Sequence, residues 1–339
     1  MKLCVFGAGA VGGYLTARLL NSKTHEVTVV ARGQQLQAIN RNGLMLIDAE
    51  QTKVVHPAQA TDQPHTLPVQ DLVFVTLKAH ALPSAAPAIA GLLGTHGCAV
   101  FVNNGIPWWW SHHGSRQPGE SLPLLDPKGA LWSTVTAQRA LGCVVYSANE
   151  VLSPGVIRHT ANNQWWLGEP NGDMSARLMG AADLLRNAGL NAQAVPDIRS
   201  HVWAKLLRNT PLNSLCALTR LAVNELTFDA QLLNLFETVI DEVAAVARAH
   251  GVDLTEQVAL AKAAPQLGGA VVGKPTSPLR PSMLQDVEYG RSMEVESILG
   301  QVLALAQASL TPTPKLAMLV PLLRGLDRSV SISKAHTRP

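Results

Sequence analysis

The 339-residue sequence lacks the marks of several large classes of protein. Charged residues make up 15% and the formal net charge is +3, with no run of Lys or Arg, so there is no basic patch for a nucleic acid or an anionic membrane. Apolar runs stop short of the roughly 20 residues that a bilayer requires. The run "LAMLVPLLRGL" at 316–326, for instance, is broken by Pro321 and Arg324. The start, "KLCVFGAGAVGG", reads as structure from residue 2 and has no long apolar segment before a cleavage site, so no signal peptide is expected. Cys4, Cys98, Cys143 and Cys216 stand far apart with no C-x-x-C pair, which predicts reduced core thiols in a cytoplasmic protein. His112 and His113 have no further ligands at metal spacing, so no metal site is expected.

What is present is a long, 47% apolar chain with core enough for two domains. "MKLCVFG" is a short apolar run ending in glycine, and "GGYLTARLL" follows with helical periodicity. Further apolar runs, "EVTVVA" at 26–31, "LVFVTLK" at 72–78 and "CAVFVNNG" at 98–105, are separated by helix-length segments such as 79–94. Apolar strands alternating with helices predict a parallel sheet covered on both faces: an α/β, Rossmann-type doubly wound domain. The stretch 107–130 is rich in Pro, Gly, Ser and His and reads as a loop insertion or lid. "LGCVVYSAN", "GVIRHT" and "QWWLGE" read as three more strands, and 174–189 as a helix ending at Gly189. From 199 to 325 the pattern is almost wholly helical, which places a boundary near Pro196–Asp197. The expectation is a dinucleotide-binding domain over 1–198, an all-helical substrate domain over 199–325 and a frayed tail over 326–339.

Gly7, Gly9 and Gly12 form G-x-G-x-x-G directly after a strand and at the opening of a helix, with Ala8, Ala10 and Val11 between them. The first glycine allows the tight turn, the second lets a pyrophosphate approach the backbone, and the third lets helix pack on strand, with the helix N-terminus facing the anion. In this context the motif predicts a bound dinucleotide. An NAD site usually has Asp or Glu at the end of the second strand to hold the ribose diol. This chain has "VVARGQQ", with no acid until Asp48. Arg32 there offers a guanidinium to a 2′-phosphate, which favours NADPH. Lys78, after a strand and before a helix, falls on the expected cofactor side.

"WAKLLRNTPLNSL" at 203–215 carries Lys205, Asn209 and Asn213 at a spacing of four. In a helix these drift by only about 80°, so an ammonium and two amides share one face, as a wet surface stripe or as the lining of a site. Hydride transfer to a ketone leaves an alkoxide, which needs a proton donor and hydrogen bonds aimed at that oxygen. A lysine serves when a carboxylate orients it and burial restrains its pKa. Lys205 is the candidate donor and Glu294, in "GRSMEVESILG", the candidate partner. Ser282, in the helix start "SPLRPSMLQD", is either a site residue or a helix cap.

These residues, together with "GAGAVGG", "TLKAH" with Lys78, "NNGI" with Asn104, and "PSMLQDVEYGRSMEVE", resemble the ketopantoate reductase family, in an order and spacing that span most of the chain. The resemblance implies NADPH-dependent reduction of 2-dehydropantoate to pantoate, in pantothenate biosynthesis. By that resemblance Lys205 donates the proton, while Glu294 binds the substrate hydroxyl and holds Lys205. Asn209, Asn213 and Ser282 contact the polar ends of the substrate, and Lys78 and Asn104 lie between cofactor and substrate. The partner implied is a small 2-oxo acid, with a homodimer left open.

Two departures stand out. Pro211 falls between the two asparagines, which predicts a bend before Asn213. The insertion carries Trp108, Trp109 and Trp110, which close over a bulkier 2-oxo acid, anchor the loop or form an oligomer contact. A non-catalytic NADPH-binding sensor is a third reading, and retention of both Lys205 and Glu294 argues against it.

Overall fold

The computed structural model describes residues 1–22, 24–49, 51–114, 119–263 and 279–336, the side chains of His96 and of 333–336 excepted. The chain divides into two compact units, Met1–Ile198 and Arg199–Pro339.

The first unit is a helix-covered sheet. Strand β1 (Lys2–Phe6) leads into α1 (Ala10–Asn21), then β2 (Glu26–Val30) and α2 (Gly33–Asn42). The short strands β3 (Leu44–Ile47), β4 (Thr52–Val55) and β5 (Gln59–Thr61) precede β6 (Gln70–Val75), α3 (Leu82–Leu92) and β7 (Leu93–Val102). The long strands β8 (Ala140–Ser153) and β9 (Val156–Gly168), helix α4 (Ala176–Asn187) and β10 (Asn191–Ala194) complete it. Six strands run parallel in the order β5-β2-β1-β6-β7-β8. That is the Rossmann order, and the chain reverses its direction of travel across the sheet between β1 and β6, where ligands bind beyond the carboxyl ends. The buried faces are filled by such residues as Leu3, Val5, Leu15, Val29, Phe74, Val100 and Trp165.

Beyond β8 the sheet ceases to be purely parallel. β9 pairs antiparallel with β8, β3 lies parallel to β9, and β4 lies antiparallel to β3. The strands read separately as "GVIRHT" and "QWWLGE" are therefore one. The "ANN" that parts them in sequence stays in the strand because β8 supplies partners there, such as Ala148 opposite Ala161.

The second unit is helical among the described residues: α5 (Ile198–Thr219), α6 (Val223–Phe228), α7 (Ala230–Ala249), α8 (Thr255–Ala263), α9 (Ser282–Glu288), a π-turn (Glu296–Gly300), α10 (Gln301–Ala308) and α11 (Pro314–His336). α11 carries the helix on past 326 to His336, and Val330 in that stretch is buried. Helix starts are satisfied by carboxylates and amides from near and far. Asp229 accepts the N–H groups of Gln231 and Leu232 at the start of α7. Glu242, buried in the middle of α7, accepts those of Lys315 and Leu316 at the start of α11 at 2.8 and 2.9 Å. These bonds pair backbone donors that no intrahelical partner reaches. No helix among the described residues is long and apolar enough to cross a membrane.

Candidate active site

The glycine turn is built by mutual exclusion of side chains. Gly7 has φ +113°, a conformation that L side chains rarely adopt. Its N–H donates to Val30 O at 2.9 Å, which ties the ends of β1 and β2 together. Its carbonyl accepts the Thr76 hydroxyl at 2.6 Å, which ties β1 to the end of β6. A Cβ on Gly12 would lie 1.9 Å from that same carbonyl oxygen, so the first turn of α1 packs on the strand only because residue 12 has no side chain. A Cβ on Gly9 would meet nothing within 4 Å, so the rim of the turn is open. α1 starts with no side-chain cap and no acid in its first turn, a helix N-terminus left available to an anion. This arrangement fits a dinucleotide pyrophosphate. Ala8 is buried, and its carbonyl accepts Gln35 Nε2 at 2.8 Å; Gln35 Oε1 in turn accepts the Gly155 N–H at 2.9 Å. Ala10 and Val11 are half-buried in the first turn of the helix.

Arg32 is exposed at the end of β2, two residues beyond the Val30 carbonyl that Gly7 engages. Asp48 lies elsewhere, in the β3–β4 turn, where its side chain accepts the Gln51 N–H. Val75 of β6 pairs with Phe101 of β7, so half-buried Lys78 and Asn104 each follow by three residues at the carboxyl ends of neighbouring strands. Asn103 Nδ2 donates to Leu77 O and joins the two chain ends. Thr76, Gln35 and Asn103 were not read from the sequence as site residues. For Thr76 the signal was its place directly after the strand beside β1.

The tryptophans anchor the insertion. Trp108, Trp109 and Trp110 are buried. Trp108 stands edge-on to Phe101 at 5.3 Å and to Trp132 at 6.3 Å between ring centroids. Trp109 lies over β8 where a Cβ on Gly142 would come within 2.3 Å of its ring. His112 is buried and edge-on to Trp132. All four cysteines are free and buried, and burial pushes the Cys4 and Cys216 thiols up to about 12.

In the helical unit, α5 runs unbroken through Pro211. Lys205 and Asn209 are half-buried and Asn213 is buried, so the face they share is not a fully exposed stripe. Asn213 Nδ2 donates to Asn209 O at 2.9 Å, and its Oδ1 accepts from Met283 N at 3.0 Å and from Ser282 Oγ at 3.1 Å. Of the two readings of Ser282, the helix cap is not seen: Pro281 is the N-cap of α9, with no side-chain cap, and Asn213 serves the first turn from α5. Glu294 is buried ahead of the π-turn, and Thr210 Oγ1 reaches Ile298 O at 3.3 Å within that turn. The helix of Lys205 thus packs on the segment of Glu294.

The glycine turn, the strand order and the helical unit define a Rossmann-type dinucleotide-binding oxidoreductase. Residues 3–172 match the family model "Ketopantoate reductase PanE/ApbA", and 197–327 match "Ketopantoate reductase PanE/ApbA C terminal". The chain is 38% identical over 327 residues to a 2-dehydropantoate 2-reductase of Mesorhizobium japonicum, covering 96% of this chain and 98% of that one. The crystal structure of a 2-dehydropantoate 2-reductase from Geobacter metallireducens superposes with a TM-score of 0.83 at 25% identity, covering 96% and 99% of the two chains. A D-mandelate dehydrogenase with NADH and anilino(oxo)acetate has a TM-score of 0.81 at 21% identity, covering 97% and 99%, a likeness of fold alone. The chain belongs to the ketopantoate reductase family.

Proposed function

We propose that this chain reduces 2-dehydropantoate to pantoate with NADPH. The observation that carries the reading is the 38% identity to a 2-dehydropantoate 2-reductase over 96% of the chain, a span that includes both units. The bulkier-substrate reading loses its motive, because the tryptophans that suggested it are buried, Trp108 against Phe101 of β7 and Trp132, and Trp109 against Gly142 of β8.

The Gly7–Gly12 turn and the start of α1 hold the pyrophosphate, and Arg32 pairs with the 2′-phosphate, where a carboxylate would repel it. When bound, the reduced nicotinamide supplies a hydride to the ketone carbon. Lys78 and Asn104, at the ends of β6 and β7, orient the reacting groups. Lys205 gives its proton to the oxygen that becomes the hydroxyl, so no free alkoxide is released. Asn209 and Ser282 bind the polar ends of the acid, and Asn213 holds Ser282 by its hydroxyl. Glu294 accepts the substrate hydroxyl and orients the Lys205 ammonium. A panel of 2-oxo acids followed by NADPH absorbance tests the reading: 2-dehydropantoate should show the highest kcat/KM, and a higher value for another acid would overturn it.

A further inference from the structure

Glu294 is gripped on both sides by one helix. One residue before it, the Met293 N–H donates to Asp327 Oδ1 of α11 at 2.7 Å. Two residues after it, the Glu296 carboxylate takes both arms of Arg324, Nε to Oε1 and Nη2 to Oε2, each at 2.7 Å. Arg324 and Asp327 stand three apart on α11 and are neighbours on its surface. The backbone that follows Glu294 is the π-turn Glu296–Gly300, in which an extra residue is wound into the helix. Gly300 makes room for the grip, since a Cβ there would lie 2.2 Å from Glu296 Oε2.

The side chains of Arg324 and Glu296 are 43% and 36% exposed, so their pairing adds little to stability. The two-pronged geometry instead fixes direction. We infer that Arg324 and Asp327 are positioning residues that set the aim of the Glu294 carboxylate on the bound 2-oxo acid. This rests on the role proposed above for Glu294. A shift of about 1 Å at a reacting group costs on the order of 10²-fold, so a grip of little energetic weight has kinetic effect.

The test compares Asp327→Ala, Asp327→Asn and Arg324→Lys, each alone and combined with Glu294→Gln. Asp327→Ala and Arg324→Lys should raise the KM for 2-dehydropantoate by about 10-fold, within the loss expected of a misaimed group, and leave the KM for NADPH unchanged. Asp327→Asn keeps an acceptor for Met293 N–H and should restore most of the loss. In the Glu294→Gln background the same substitutions should add little, because their effect runs through that carboxylate. Should Asp327→Ala fail to fold, Arg324→Lys, which keeps its charge and loses the fork, decides the matter. Lowered Tm with unchanged KM, or full additivity with Glu294→Gln, would overturn the inference and leave Glu294 in its role. A Glu294→Gln enzyme of wild-type activity would overturn both.

Discussion

The Asn213 side chain caps a helix to which it does not belong: its Oδ1 accepts the Met283 N–H at 3.0 Å in the first turn of α9. The same oxygen accepts the Ser282 hydroxyl, and the amide nitrogen returns to Asn209 O. One carboxamide therefore links Asn209 and Ser282, the two residues proposed to bind the polar ends of the substrate.

Removing that link should act on stability first. Asn213→Ala leaves the buried Met283 N–H without its acceptor and should destabilise the protein by about 1–3 kcal/mol in urea unfolding. The KM for the 2-oxo acid should rise with it, since Ser282 loses its partner. An unchanged unfolding midpoint would contradict the capping role.

The proposed preference for NADPH turns on Arg32. If Arg32 pairs with the 2′-phosphate, Arg32→Ala removes a charge-assisted contact worth about 1.5–3 kcal/mol, so the KM for NADPH should rise about 10- to 100-fold while that for NADH changes little. Steady-state kinetics with both cofactors checks it, and equal losses would refute the assignment.

The insertion is held by shape. A Cβ on Gly142 would lie 2.3 Å from the Trp109 ring, so Gly142→Ala should cost about 1–3 kcal/mol by overpacking. Trp109→Ala should cost about 3–5 kcal/mol through the cavity it leaves. Thermal unfolding of the two variants, with 2-oxo acid preference unchanged in Gly142→Ala, would fit an anchor. A broadened preference would favour a substrate lid.

The fold was legible where the sequence carries period or exclusion. Gly7 and Gly12 could be read because a left-handed turn and a helix seated on a carbonyl admit no side chain. The unbroken β2 pattern likewise exposed Arg32 at its end. The strands β3, β4 and β5 were not legible: they have 4, 4 and 3 residues, too few to display a period, and depend on neighbours for their ladders. Pro211 suggested a bend, yet α5 runs through it. The one hydrogen bond that proline removes is outweighed by packing, and the Asn213 link holds the turn that follows. That Lys205, Asn209 and Asn213 share one face of a helix was visible from their spacing of four. The Asn213–Met283 bond was not, because it joins positions 70 residues apart that only the folded helices bring together. The same holds for Thr76 on Gly7, 69 residues apart, and for Arg324 on Glu296.

The central claim is that Lys205 delivers the proton. The most direct measurement is the kcat of Lys205→Ala with 2-dehydropantoate under saturating NADPH, alongside a fluorescence titration of NADPH binding. Loss of a positioned acid predicts a fall of about 10²–10⁴-fold in kcat with the NADPH dissociation constant unchanged. Wild-type turnover in Lys205→Ala would contradict the account.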